Sequence, residues 1–202
     1  MRLEFRAGDF LVQGDRPILV YPKPADPVRA GKDIERFLVV GSERTPTQDL
    51  EFAIRHLVEV ALRALSPGIN DPYTAVAVVD RLRGCLSRVM ACRLPAETVR
   101  DRAGRVRLWR RTTTYTGILD AAFHQIRQAA SEKPAVLIHM LEAIARIADH
   151  TRLDEQRAAL ARHARLICAA GERTLQEPAD RDDLLRSFRL AITAVEGAAR
   201  SK

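Results

Sequence analysis

Apolar residues follow two different rhythms along this chain. Before residue 22 they alternate with polar residues and turn dipeptides; beyond residue 45 most recur every three or four positions. Alternation places side chains on one face of a strand, and the longer spacing lines one side of a helix. Leu3 and Phe5 share a strand face. Gly8-Asp9 and Gly14-Asp15 are turn dipeptides, and Ile18 to Tyr21 is a second short apolar run. Residues 1–21 therefore predict a small β-hairpin region. Pro22, Pro24 and Pro27 predict an irregular loop over 22–33, because proline fixes φ and lacks an amide hydrogen. Asp33 to Val40 fits a short helix or a strand.

The helical rhythm then takes over. Thr45 as cap, Pro46 at the first helical position and Gln48 reaching back predict a capping box and a helix to about Leu65, stopped by Pro67. Asp71 caps the next, with Pro72 inside it, and Ala75, Val79, Leu82, Leu86 and Val89 form its inner face to about Ala91. Residues 94–110 hold two short alternating runs about Asp101–Gly104, which fit a hairpin or a loop. Four more helices follow. Tyr115, Ile118, Leu119, Ala122, Phe123 and Ile126 mark one; Leu137, Met140, Leu141, Ile144 and Ala148, opened by Pro134, mark another. Thr151 with Asp154 predicts a capping pair for a third helix to about Ala170. Leu185, Phe188, Ile192 and Val195, entered through Pro178, mark the last. The fold class is mainly α: a helical bundle of about five to six helices with a small N-terminal β-hairpin element. The expected domains are 1–33, hairpin and Pro-rich loop, and 34–202, helical.

Composition sharpens this picture. Hydrophobic residues make up 47% of the 202, enough for a core, while aromatics are only 5%, so the core must be Leu, Val, Ile and Ala. Cys85, Cys92 and Cys168 lack CxxC spacing and are odd in number, which argues against a disulfide framework or zinc site and fits a reducing compartment. No signal peptide and no run of about 18 apolar residues is present, so the chain as given is expected to be soluble and cytoplasmic. The net charge of +7 comes almost wholly from arginine. Those arginines interleave with Asp and Glu, as on a solvated face, so nucleic-acid binding is disfavoured. Its best candidate stretch, Arg100 to Arg111 with Trp109, carries no recognised motif and would bind DNA in a strongly salt-dependent way.

Two stretches could carry chemistry. Glu51, Arg55, Glu59 and Arg63 stand at i,i+4 steps on an otherwise apolar helix. Such a stripe is a solvated ladder, an internal ion-pair network, or one wall of a cleft. The corner Ser66-Pro67-Gly68-Ile69-Asn70-Asp71 follows it. Pro67 and Gly68 end a helix and Asp71 starts the next, yet Ser66 and Asn70 exceed what a corner requires. The candidate ligand-binding residues are Arg55, Glu59, Arg63, Ser66, Asn70 and Asp71. No catalytic residue stands out: His56, His124, His139, His150 and His163 are scattered, and no HExxH, GxSxG or phosphate loop occurs. Asp120 and His124 are four apart, but one pair is not a metal site. No metal and no cofactor is expected.

The stretch ERTPTQDLEFAIRHLVEVALRALSPGINDPYTAVAVVDRL, Glu43 to Leu82, resembles a family of uncharacterised bacterial membrane proteins, domain of unknown function 2254. RAGDFLVQGDRPILVYP and GILDAAFHQIRQAA resemble it too, so most of the chain is covered. The resemblance implies membrane association and several transmembrane helices ahead of a soluble C-terminal region, to which this chain would correspond. It adds weight to Gln48, Asp49, Arg55, Glu59, Arg63, Ser66, Asn70, Asp71 and Asp80 of the shared motif. The G-D-F-L-V-x-G-D hairpin resembles half of a barrel-sandwich module, without the lysine that carrier domains modify. Its completing strands would lie upstream, which predicts an unpaired edge that another chain covers. The expected role is an interaction, assembly or regulatory module, homo-oligomeric, with the question of an enzymatic activity left open but leaning against one. The alternative is a ligand-binding or enzymatic domain with its site at the Glu59–Asp71 corner.

Overall fold

The computed structural model describes residues 1–198. Two compact units make it up: Met1–Phe52 with Pro95–Thr113, and Ala53–Leu94 with the chain from Thr114 onward. The expected boundary at residue 33 falls inside the first unit. Among the described residues there are seven helices and one four-stranded sheet, so the chain is mainly α.

The first unit holds the sheet. Strands β1 (Arg2–Leu3) and β2 (Ile18–Leu19) pair antiparallel, as the alternation predicts. Strands β3 (Thr98–Arg100) and β4 (Val106–Arg110) form the second hairpin. Asp101 Oδ1 accepts from the amides of Ala103 and Arg105, both at 3.0 Å, and Gly104 supplies a φ of +78° at that turn. The strand order is β2-β1-β4-β3, with β1 parallel to β4. The edge expected on the N-terminal hairpin therefore lies on β2, while the outer side of β1 is covered. The partner of β1 comes from residues 106–110 of the same chain, and only the two-residue β2 and the strand β3 remain as edges. The Pro-rich stretch is also more ordered than expected. Helix α1 (Pro27–Glu35) starts within it, because Pro27 sits at the first helical position and Asp26 caps the amide of Arg29 at 3.0 Å.

The first long helix begins later than predicted. Helix α2 spans Leu50–Ala64, and residues 46–48 are turn and bend. Its cap is Asp49, whose Oδ1 accepts from Phe52 N at 3.0 Å, rather than Thr45 with Gln48. The buried carboxylate of Asp49 is also fixed by Arg44, a hold that a threonine four residues earlier lacks.

The second unit is a bundle. Helix α3 spans Pro72–Ala91, α4 Tyr115–Ala129, α5 Pro134–Ala148, α6 Asp154–Thr174 and α7 Pro178–Gly197. Leu82, Leu86 and Met90 of α3, Ile118, Phe123 and Ile126 of α4, and Leu137, Met140 and Ile144 of α5 are all fully buried and belong to its core. That core is aliphatic, as the low aromatic content requires. Two details depart from expectation. Helix α6 is not opened by a Thr151–Asp154 pair. Thr151 Oγ1 donates back to Ala148 O at 2.8 Å, and Gln156 Oε1 instead accepts from the amides of Arg152 and Leu153. On α7 the buried residues are Leu184, Ala191 and Val195, with Leu185, Phe188 and Ile192 half-buried. The face turns toward Leu184 because Gly171 of α6, lacking a Cβ, lets the Leu184 methyl settle against its backbone.

Candidate functional site

The corner between α2 and α3 is tied to itself. Asn70 N and Ile69 N donate to Ser66 O, Asp71 N donates to Ala64 O at 2.7 Å, and Ser66 Oγ donates to Arg63 O at 2.7 Å. Asn70 takes the left-handed conformation, φ +50°, that closes the turn. Asparagine tolerates that region, so the glycine two residues earlier is not what turns the chain. Asp71 caps α3 through Thr74 N and also accepts from Thr74 Oγ1 at 2.5 Å. The bonds from Thr74 hold the half-buried Asp71 carboxyl below its ordinary range. Of the other candidates, Arg55 is exposed, and Glu59 meets Arg63 only at 3.6 Å with both side chains largely in solvent. Arg55, Glu59 and Arg63 are thus exposed along α2, while Ser66, Asn70 and Asp71 bond within the corner.

Glu51 leaves the ladder altogether. It is buried, and Arg6 grips it with both terminal nitrogens, at 2.6 and 2.8 Å. That bidentate pairing raises the pKa of Arg6, against the opposing effect of its burial. Asp49 pairs with Arg44, while Asp9 accepts from Arg6 N at 3.1 Å and pairs with Arg111 at 3.3 Å. The acidic residues of the TQDLE stretch thus hold the first unit together. Ion pairs this well matched leave no charge over for a ligand.

Two clusters lie in the second unit. A cleft of about 350 Å³ is lined by Asp80 and Arg83 of α3, His139, Glu142 and Arg146 of α5, and Ser187 and Leu190 of α7. His139 Nε2 lies 3.1 Å from Asp80 Oδ1, and its Nδ1 lies 3.4 Å from Glu142. The other cluster joins α4 to α6. Asp120 Oδ1 is met by Arg162 Nη1 at 2.6 Å, His163 Nε2 at 2.9 Å and His124 Nε2 at 3.0 Å. His163 is fully buried, and that burial pulls its pKa down to about 4 although Asp120 opposes the shift. Burial raises the Asp120 pKa, but the bonds from Arg162 and His163 outweigh it and hold the carboxyl below its ordinary range.

A family model described as predicted membrane protein, domain of unknown function 2254, matches residues 1–146. The chain belongs to that family. It is 32% identical over 193 residues to uncharacterised proteins of Mycobacterium bovis and of Mycobacterium tuberculosis. The match covers 94% of this chain but 37% of each relative, so the chain spans well under half the length of the curated relatives it matches. No solved structure matches. None of the described helices of this family member is long and apolar enough to cross a membrane.

The family match takes in Asp80, Asp120, His124 and His139 and stops short of Arg162, His163 and Ser187. Reading along the sequence missed both clusters of the second unit. The Asp120–His124 spacing was visible, but His163 lies 39 positions beyond His124 on another helix, and only the packing of α4 against α6 brings it there.

Proposed function

We propose that this chain is an interaction and assembly module of its membrane-protein family, acting as a homo-oligomer. The observation that carries this reading is the apolar surface of the first unit. Phe10, Tyr21, Phe37, Val39 and Val40 are each 86–100% exposed, and Leu19 and Val20 are partly so. Single exposed apolar residues are ordinary, but a run such as Val39-Val40 close after Phe37 favours burial against a partner. Family membership supplies the membrane context. The three cysteines are free, which agrees with a cytoplasmic, reducing location. The alternative, a ligand site at the Glu59–Asp71 corner, has less support, since Ser66 and Asp71 make internal hydrogen bonds and Glu59 and Arg63 face solvent.

Light scattering coupled to size exclusion tests the proposal. The wild type is expected to run as a defined oligomer, and Phe37→Ser with Val39→Ser to run as a monomer with unchanged helical circular dichroism. A monomeric wild type at every concentration up to about 100 µM would refute self-assembly. Flotation with vesicles of anionic lipid then reads whether the same surface meets a membrane instead.

A further inference from the structure

The Asp120 cluster carries an inference that the assembly reading does not use. Asp120 and His124 are one helical turn apart on α4, and His163 approaches from α6. Asp120 Oδ1 and the two Nε2 atoms lie within 4.8 Å of one another. Three nitrogens converge on Oδ1, which offers about two acceptor positions. One of them is therefore in excess while the cluster is held by hydrogen bonds alone. Facing a carboxylate oxygen, each ring carries its hydrogen on Nε2 while the metal is absent; the Nδ1 atoms of His124 and His163 have no hydrogen-bond partner, so each is free to take up that hydrogen when Nε2 turns to a metal. Asp120 and His124 are about one-third exposed while His163 is sealed, so the cluster is open on one side only. Ligands about 2.0–2.1 Å from a tetrahedral ion lie about 3.3 Å apart. The observed 2.9 and 3.0 Å separations from Oδ1 need widen only by a few tenths of an ångström. Arg162 is the competing cation, and its side chain is half exposed and able to swing away.

We propose that Asp120, His124 and His163 form a three-ligand site for a borderline divalent transition-metal ion such as zinc, with its fourth position open toward solvent. Two imidazoles and a carboxylate suit such an ion better than magnesium or calcium, which prefer all-oxygen shells. Arg162 occupies the carboxylate when the metal is absent and is displaced when it binds.

Cobalt(II) is the probe, titrated into the tag-free full chain after treatment with chelator. One saturable equivalent with the strong visible absorption of four-coordinate cobalt is expected, and zinc should displace it. His124→Gln and Asp120→Asn should each weaken binding at least about tenfold. Arg162→Ala should strengthen it, which a merely structural ion pair would not predict. His139→Gln, at the other histidine–carboxylate cluster, should leave it unchanged. His124 is partly exposed, so its variant is expected to keep the wild-type circular dichroism, and Asp120→Asn provides a second, independent ligand loss. The proposal is overturned by absent saturable binding, by binding that survives both ligand substitutions, or by binding that His139→Gln abolishes.

Discussion

Gly8 is the position where one added methyl group tests most of the first unit. Its φ is +85°, and a Cβ built there overlaps Asp49 Oδ2 and falls 2.6 Å from Arg44 Nε. Gly8→Ala therefore imposes two costs. The left-handed conformation costs alanine about 1–2 kcal/mol. The methyl group also pushes Asp49 off Arg44 and off the amide of Phe52. Loss of that cap costs about 1 kcal/mol, and disturbing a buried ion pair adds up to a few more. The sum is about 3–5 kcal/mol. Gly104→Ala is the control: its φ is +78°, and nothing lies within 4 Å of its Cβ position, so only the strain of about 1–2 kcal/mol applies. The single tryptophan, Trp109, lies on β4 and reports on this unit. Urea titrations followed by Trp109 fluorescence should place the Gly8→Ala midpoint about 1 M below that of Gly104→Ala, for a slope of about 2 kcal/mol per molar. Equal midpoints for the two variants would refute the packing argument and leave backbone strain as the whole effect.

Other predictions are open to the same measurements. Glu51→Ala leaves Arg6 without its bidentate partner and should cost about 3–5 kcal/mol by urea denaturation; a loss under 1 kcal/mol would mean that the pair is solvated in solution. Asp71→Ala removes the α3 cap and should cost about 1 kcal/mol, while a loss of ligand binding without a loss of stability would favour the corner as a site. His163, with its pKa near 4 in the folded chain and 6.5 as its ordinary value, stays neutral while the unfolded chain takes up a proton. Stability is then full above about pH 6.5 and should fall as pH drops toward 4, by on the order of 3 kcal/mol from this residue. Denaturation midpoints in chelator at pH 7, 5.5 and 4.5 should drop less steeply for His163→Gln, and parallel curves would contradict the shift.

How much was legible from residues alone follows the range of the forces involved. Helices α3, α4 and α5 were readable almost to their ends, because Asp71-Pro72 and Pro134 act within one turn and the apolar stripes repeat locally. The stretch 98–110 fitted a hairpin or a loop, and the pairing of β3 with β4 decided for the hairpin. The start of α2 was not: Thr45-Pro46 is a good local start, but Asp49 wins through Arg44 and its place beneath Gly8, contacts with no local signature. Glu51 looked like the first rung of a ladder to Arg55, and a bidentate arginine 45 positions away took it instead.

The sequence by itself determined that the chain is helical, aliphatic-cored and a member of its family, since composition, periodicity and a long shared motif are properties of neighbouring residues. Only the tertiary structure decided which polar groups meet. Arg6 with Glu51, His139 with Asp80 and His163 with Asp120 are joined across 43 to 59 positions of chain that no pattern announces, because side-chain recognition acts over a few ångströms while the spacing along the chain is set by where whole helices pack.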